Sequence, residues 1–230
     1  MREWIAFWDS DHSIYVNARH RDVHYRGIAE DVRGYIASPD AHVLDYGCGE
    51  ALHAAHLAEA CGELILCDAA PGVRAGLAAR FADHSGIAVM SPEEVAGLPN
   101  ESLDFISMVS VAQYLSPVEF DATLALFRRV LKPAGSLLIA DIVPPSASPV
   151  TDALALLRFA KANGFLLPAI AGLARTAVSD YRTLRTRLGL TQYSEADMMA
   201  RLSAAGFAAQ RQRRNVGHNG ARMTFLARRG

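Results

Sequence analysis

The middle of the chain alternates short apolar blocks with stretches whose apolar residues recur at helical spacing. The blocks predict strands over His42–Tyr46, Glu63–Asp68, Ile87–Met90, Leu103–Val109 and Ser136–Val143. Between them, helices are expected from about Glu50 to Ala60, from Pro71 to about Ala82, briefly after Ser91, and over Pro117–Leu131. Ser91-Pro92-Glu93-Glu94 has the make-up of a capping box with proline in the first turn. Lys132-Pro133-Ala134-Gly135 reads as a turn and Pro144-Pro145 as a stop. Strand and helix in strict alternation is the pattern of a parallel sheet covered on both faces.

The flanks differ. Residues 1–38 are polar and aromatic, with helical spacing from about Ser13 to Ile36. Residues 146–190 break the alternation and predict two or three helices, with breakers at Asn163-Gly164 and Pro168. A helix capped by Ser194 runs to about Ala205. Strands are then expected over Ala208–Val216 and Arg222–Arg228, with Gly217-His218-Asn219-Gly220 as a hairpin signal between them.

Composition narrows the class. The chain has 230 residues, 51% of them hydrophobic, enough for one large α/β domain with its own core. A formal net charge of −1 argues against a broad nucleic-acid-binding surface. Cys48, Cys61 and Cys67 form no CxxC pair and no disulfide framework, which points to a reducing, cytoplasmic setting. The N-terminal stretch lacks a signal-peptide apolar region. The longest apolar run, Phe165–Ala174, falls far short of the ~20 residues that span a bilayer.

Candidate chemistry begins at Asp45-Tyr46-Gly47-Cys48-Gly49. An apolar strand stops at a carboxylate, two glycines follow at alternate positions, and a helix starts. Glycine lets the backbone turn sharply and lets a ligand lie against it. The helix start offers free N–H groups. The third glycine of the dinucleotide pattern is replaced by Leu52. A carboxylate at Asp45 suits a ligand with positive charge, such as an α-amino group, and repels a pyrophosphate. Asp68, about 20 residues on, can accept hydrogen bonds from both ribose hydroxyls of an adenosine ligand.

On these residues the stretch resembles the first motif of class I S-adenosylmethionine-dependent methyltransferases. Three later segments strengthen the resemblance: Val95–Ile106, Leu126–Ile139 (with Ala134 where relatives usually have glycine) and Tyr193–Phe207. It covers roughly residues 41–145 and 191–230. It implies a Rossmann-like fold with a seven-stranded, mostly parallel sheet, an antiparallel last strand, helices on both faces and a helical cap. It implies S-adenosylmethionine as cofactor and S-adenosylhomocysteine as product. By position it assigns the cofactor to Asp45, Gly47, Cys48, Gly49, Asp68, Ala69, Glu94, Val95, Ser110 and Gln113. Tyr15 and Arg19, on an N-terminal helix, would reach the methionine carboxylate.

In such sheets ligands bind outside the carboxyl ends of the strands. His218, Tyr114 and Asp141 are therefore candidate proton acceptors or orienting groups, and Trp8, His12, Asn219 and Arg222 candidate acceptor contacts. His20 and His24 lie i,i+4 on one helix face, but no metal motif accompanies them. Leu154, Leu157, Phe159, Phe165, Leu166, Leu167 and Ile170 could line an apolar pocket. Arg158, Lys161, Arg175, Arg182, Arg185 and Arg187 could suit an anionic group on the acceptor. The alternative for this segment is a helical cap or a homodimer contact. No Asn/Asp-Pro-Pro-Tyr run and no Pro-Cys nucleophile is present, so a small-molecule acceptor is expected rather than nucleic acid. A non-catalytic cofactor-binding regulator and an NAD(P)-dependent oxidoreductase are the competing readings.

Overall fold

The computed structural model describes residues 3–10, 14–176 and 191–230. Two helices precede the sheet, α1 (Glu3–Trp8) and α2 (Ala18–Arg33). The core then runs β1 (His42–Tyr46), α3 (Ala54–Ala58), β2 (Glu63–Cys67), α4 (Pro71–Arg80), β3 (Ile87–Met90), α5 (Pro92–Ala96), β4 (Leu103–Val109), α6 (Pro117–Val130) and β5 (Leu131–Ile142). Helices α7 (Pro149–Asn163) and α8 (Leu166–Thr176) follow. Helix α9 (Glu195–Ala204) leads into β6 (Phe207–Arg211) and β7 (Met223–Arg229).

The strands form one seven-stranded sheet in the order β3-β2-β1-β4-β5-β7-β6. Pairings from β3 to β5 are parallel, and β7 runs antiparallel to both of its neighbours. The chain builds outward from β1 in one direction and from β4 in the other. The crevice between these two strands is therefore the topological switch point where ligands bind in open α/β sheets.

Period-2 alternation explains the layers. Val43, Leu64, Leu66, Phe105 and Leu138 pack with Val32 of α2, Leu57 of α3 and Leu77 of α4. Their neighbours Leu44, Ile65, Ile106 and Leu137 face the other way, onto Phe120 and Phe127 of α6 and Met198 and Leu202 of α9. Phe120, Phe127, Leu44 and Leu64 are fully buried; each such side chain stabilises the fold by roughly 1.5–3 kcal/mol. A smaller cluster, Val23 with Ala160, Phe165 and Ala169, fixes α7 and α8 against α2. Capping boxes start four of the described helices, at Ser91, Ser116, Ser148 and Ser194.

Several boundaries differ from expectation. The N-terminal helix starts at Ala18, because Asn17 caps it by accepting from the His20 N–H at 2.8 Å. Helix α3 begins only at Ala54, since the glycine turn continues through Ala51 at φ 41°. Lys132–Gly135 is a bulge within β5: Leu103 pairs with Leu131, but Phe105 already pairs with Ser136. Pro168 is no breaker; it sits in the first turn of α8, where its missing N–H costs nothing. Gly217–Gly220 is no tight hairpin turn, since β6 ends at Arg211 and β7 starts at Met223. The longer excursion is folded back over the sheet by Asp31, which accepts from the Gly217 N–H at 3.1 Å.

Candidate active site

The turn after β1 is bent by two glycines in the left-handed region, Gly47 at φ 78° and Gly49 at φ 56°. It is tied to β2 by the Gly47 and Cys48 N–H groups, both donating to the Cys67 carbonyl at 2.7 and 3.0 Å. A Cβ at Gly47 would overlap the Val111 side chain just past β4, and one at Gly49 would sit 2.8 Å from the Tyr25 hydroxyl. The cradle thus lies pressed between the end of β4 and helix α2.

Two carboxylates flank it. Asp68 accepts from the Gly49 N–H at 2.9 Å and the Ala70 N–H at 2.8 Å, while burial raises its pKa. Asp45 accepts from the Ser107 hydroxyl at 2.8 Å. Burial pushes it up to about 6; the Ser107 bond opposes this and the Asp68 charge adds to it. A buried carboxylate short of a cationic partner is matched to a ligand ammonium.

A cavity of about 920 Å³ opens from this cradle, the size of a cofactor-and-substrate site. Trp4 and Trp8 of α1 line it, with Trp4 stacked on Tyr114 at 6.1 Å and Trp8 edge-on to the same ring at 5.7 Å. Asp9 holds this aromatic cover down by accepting from the Gly72 N–H at 2.5 Å, at the start of α4. The Tyr15 and Tyr25 hydroxyls are hydrogen-bonded to each other, and the Tyr25 hydroxyl accepts from the Glu50 N–H at 3.1 Å.

Ser110, Gln113, Asp141, His218 and Arg222 line the same cavity. Ser110 and Asp141 both adopt left-handed backbone, at φ 62° and 59°, a strain typical of functional sites. The Ser110 hydroxyl donates to Asp141 at 2.7 Å. Asn215 locks the same residue: its Oδ1 accepts from the Asp141 N–H and its Nδ2 donates to the Asp141 carboxylate, both at 3.1 Å. The Asn215 Nδ2 also donates to the Asn219 carbonyl at 3.1 Å, and the Thr224 hydroxyl donates to its Oδ1 at 2.8 Å. The loop carrying His218 is thereby bolted to the end of β5. His218 stacks on Phe159 at 4.5 Å. Burial keeps its pKa below the usual histidine value against the opposing pull of Asp141. Arg222 donates to both oxygens of Asp152, at 3.1 and 3.0 Å, and to Gln113 at 3.4 Å.

The expected residues are distributed unevenly. Asp45, Gly47, Cys48, Gly49, Asp68, Ala69, Tyr15, Ser110, Gln113, Tyr114, Asp141, His218, Trp8 and Arg222 line this one cavity. Four others are placed elsewhere. Glu94 spends its carboxylate on the Ser91 N–H at 2.6 Å, and Val95 is fully buried in the core. The capping box turns α5 so that Pro92 and Glu93 reach the cavity instead. Arg19 points to α7, where its Nε donates to the terminal carbonyl of Asn163 at 2.5 Å. Asn219 faces Asp152, to which its Nδ2 donates at 2.9 Å. His12, Arg182, Arg185 and Arg187 lie outside the described residues, as does the side chain of Arg175.

His20, His24 and Tyr25 join the wall from α2. Burial lowers His20 to about 4 and His24 to about 3, so both rings are neutral near pH 7. Helical spacing put the two histidines on one face, but only the packing of α7 and the β6–β7 loop buries that face. Phe159 and Leu154 bound a further cavity beside α7. Leu167 and Ile170 are exposed at 78% and 52% and line neither of these two cavities.

Residues 44–139 match a family model described as a methyltransferase domain. No curated protein sequence matches the chain. Among solved structures, magnesium protoporphyrin IX methyltransferase from Synechocystis PCC 6803, with bound S-adenosylhomocysteine, is 17% identical at a TM-score of 0.60, covering 99% of this chain and 93% of that one. Burkholderia thailandensis 1,6-didemethyltoxoflavin-N1-methyltransferase, with bound 1,6-didemethyltoxoflavin and S-adenosylhomocysteine, is 19% identical at 0.58, covering 99% and 89%. A protein from Pyrococcus horikoshii OT3, PH0226, is 13% identical at 0.60, covering 99% and 97%. At these identities the likeness establishes the fold. The chain has the Rossmann-like methyltransferase fold, and its residues 44–139 match the methyltransferase domain model.

Proposed function

We propose that this protein transfers the methyl group of S-adenosylmethionine to a small-molecule acceptor. The observation that carries the proposal is one cavity that brings together two buried carboxylates around a glycine cradle and a histidine, its pKa lowered by burial, beside a fixed carboxylate. The donor set fits the cofactor. Asp45 is matched to the α-ammonium, Asp68 to the ribose hydroxyls, and Pro92 and Glu93 to the adenine edge. The glycines let this turn pack against Val111 and Tyr25, where a Cβ would clash. When bound, S-adenosylmethionine supplies an activated methyl carbon: the acceptor atom bonds to it, the carbon–sulfur bond breaks, and S-adenosylhomocysteine keeps the electron pair.

This chain's residues then have positioning and proton tasks. His218 accepts the proton that an O–H or N–H acceptor loses. Asp141, held by Ser110 and Asn215, orients the loop that carries His218 and stabilises the imidazolium. Tyr114, Trp4 and Trp8 cover the cavity and keep water from the reacting centre. Of the likened structures, two act on conjugated ring systems by name, and the rings of His24, Tyr114 and His218 on the cavity wall support an acceptor of similar flatness.

Calorimetric titration with S-adenosylmethionine and S-adenosylhomocysteine tests the cofactor, and a screen of metabolite extract with labelled cofactor tests turnover. Binding that Asp68→Ala leaves unchanged would overturn the site. Binding with no turnover on any acceptor would instead mark a non-catalytic regulator. Saturable nicotinamide binding would favour an oxidoreductase.

A further inference from the structure

Five large aliphatic side chains stand exposed among the described residues, and four of them sit on two consecutive helices: Val150 and Leu154 on α7, Leu167 and Ile170 on α8. Helix α8 is the sharper case. From Leu166 to Ala174 it has no polar side chain. Its exposed stripe is Leu167, Ile170, Ala171 and Ala174, at i, i+3, i+4 and i+7. Its other side is already packed. Ala169 joins Val23, Ala160 and Phe165 in the core, and Gly172 lies so close to Val16 that a Cβ there would overlap it. A helix that is apolar all round needs an apolar medium on its second face as well. We propose that the outer faces of α7 and α8 form a membrane-docking surface. The apolar stripe of α8 sinks into the boundary between headgroups and acyl chains, and cations of α7 meet anionic lipids.

Charge favours that occupant. Val150, Leu154, Arg158 and Lys161 recur at helical spacing along α7 and are all exposed. Neither Arg158 nor Lys161 has an ion pair with another described residue. The one acid of the two helices, Asp152, is engaged by Arg222 and Asn219. Arg158 shares the cavity beside α7 with Glu30 and Asp31, and Asp31 is tied to Arg214. That leaves one carboxylate against two cations. A second copy of the chain suits this surface less well. A two-fold interface sets like against like, so Arg158 and Lys161 would meet the same cations with no free acid on either helix. Length decides how the surface binds. At 11 residues α8 is about 16 Å long, roughly half of a bilayer's hydrocarbon core, so it lies along the membrane and does not cross it. None of these exposed residues lines the inner cavity, so the surface stands or falls apart from the methyltransferase reading.

Co-sedimentation of the full chain with lipid vesicles is the test. Wild type should bind vesicles of phosphatidylcholine mixed with phosphatidylserine at least about fivefold more tightly than phosphatidylcholine alone, and the difference should fade in high salt. Leu167→Ser combined with Ile170→Ser changes exposed positions only. Its thermal midpoint should stay close to wild type while its vesicle affinity falls at least about tenfold. Arg158→Gln combined with Lys161→Gln should cancel the preference for phosphatidylserine. Val118→Ser alters the fifth exposed aliphatic side chain, on α6, and should bind as wild type does. A wild type that stays in the supernatant with both vesicles overturns the docking surface. So does a serine pair that binds as tightly as wild type, or a Val118→Ser protein that loses as much. A wild type that is dimeric without lipid, and that the serine pair makes monomeric, overturns it in favour of a second copy. Equal binding to both kinds of vesicle overturns the part given to Arg158 and Lys161.

Discussion

Asp45 gives the sharpest test of the cofactor cradle, because its ionisation and its proposed partner are linked. Burial raises its pKa from 3.8 to about 6, a shift of about two pH units. At 1.36 kcal/mol per unit, an ionised Asp45 therefore costs the ligand-free protein on the order of 3 kcal/mol above pH 6. The sign follows from the direction. A carboxyl whose folded pKa lies above its unfolded value favours the fold below pH 3.8, and that contribution is lost as pH rises through 6. A bound ammonium reverses the effect by favouring the carboxylate. Cofactor affinity should hence be flat above pH 6 and weaken about tenfold per pH unit just below it, as Asp45 takes up a proton in the free protein. Asp45→Asn removes the titration and the charge-assisted bond together. Its affinity for S-adenosylhomocysteine at pH 7.5 should drop by about 1.5–3 kcal/mol, roughly 10- to 150-fold. Its pH profile between 5 and 7 should also be flat. Calorimetry across that range measures both. A wild-type profile that stays level down to pH 5, or an Asp45→Asn protein with the wild-type slope, would refute the pairing.

Other residues yield independent checks. Gly47→Ala forces a Cβ into Val111 at a left-handed backbone position and should destabilise by about 2–4 kcal/mol in urea titration. Adding Val111→Ala should recover the steric part and leave the backbone part. Asn215→Leu strips the Asp141 N–H and carboxylate of their partner and leaves the Thr224 hydroxyl without its acceptor. A loss of about 2–4 kcal/mol is expected, with slowed methyl transfer at unchanged S-adenosylhomocysteine affinity. A drop in that affinity would instead count against a positioning role for Asn215. His24, lowered to about 3 from 6.5 by burial, contributes stability that is present above pH 6.5 and lost as pH falls toward 3. The slope should be as much as about 1.4 kcal/mol per pH unit. Urea midpoints at pH 7 and pH 5 should diverge less in His24→Phe than in wild type; equal divergence would place the acid-sensitive group elsewhere.

The glycine turn and the two carboxylates beside it were legible because they are local. The strands after Ala41 announce themselves as apolar blocks, and β1, β3 and β4 run between the residues expected from pattern alone. Asp45, Gly47 and Gly49 lie within five residues of one another, and Asp68 at the end of the next strand. Where the signal depended on a cap, it misled by a residue or two. The Ser91 capping box was visible, but not that Glu94, once used by the cap, would leave the cavity to Pro92 and Glu93. Arg19 went astray for a related reason: spacing gives its helix, but not that the end of α7 would present it with an unpaired carbonyl.

The part of the cavity wall around Asp141 and His218 depends on residues far apart in the chain. Asn215 reaches Asp141 across 74 positions and Gly217 reaches Asp31 across 186. His218 meets Phe159 and His24 only when α2, α7 and the β6–β7 loop are brought together. By itself the sequence determined the alternating sheet, its two-sided core and the carboxylate–glycine cradle, because period-2 burial and turn geometry act between near neighbours. Only the tertiary structure decided which histidines lose their charge, which backbone positions carry strain and where the second cavity opens. Desolvation and enclosed volume belong to surfaces that meet, and no stretch of the chain holds both sides of them.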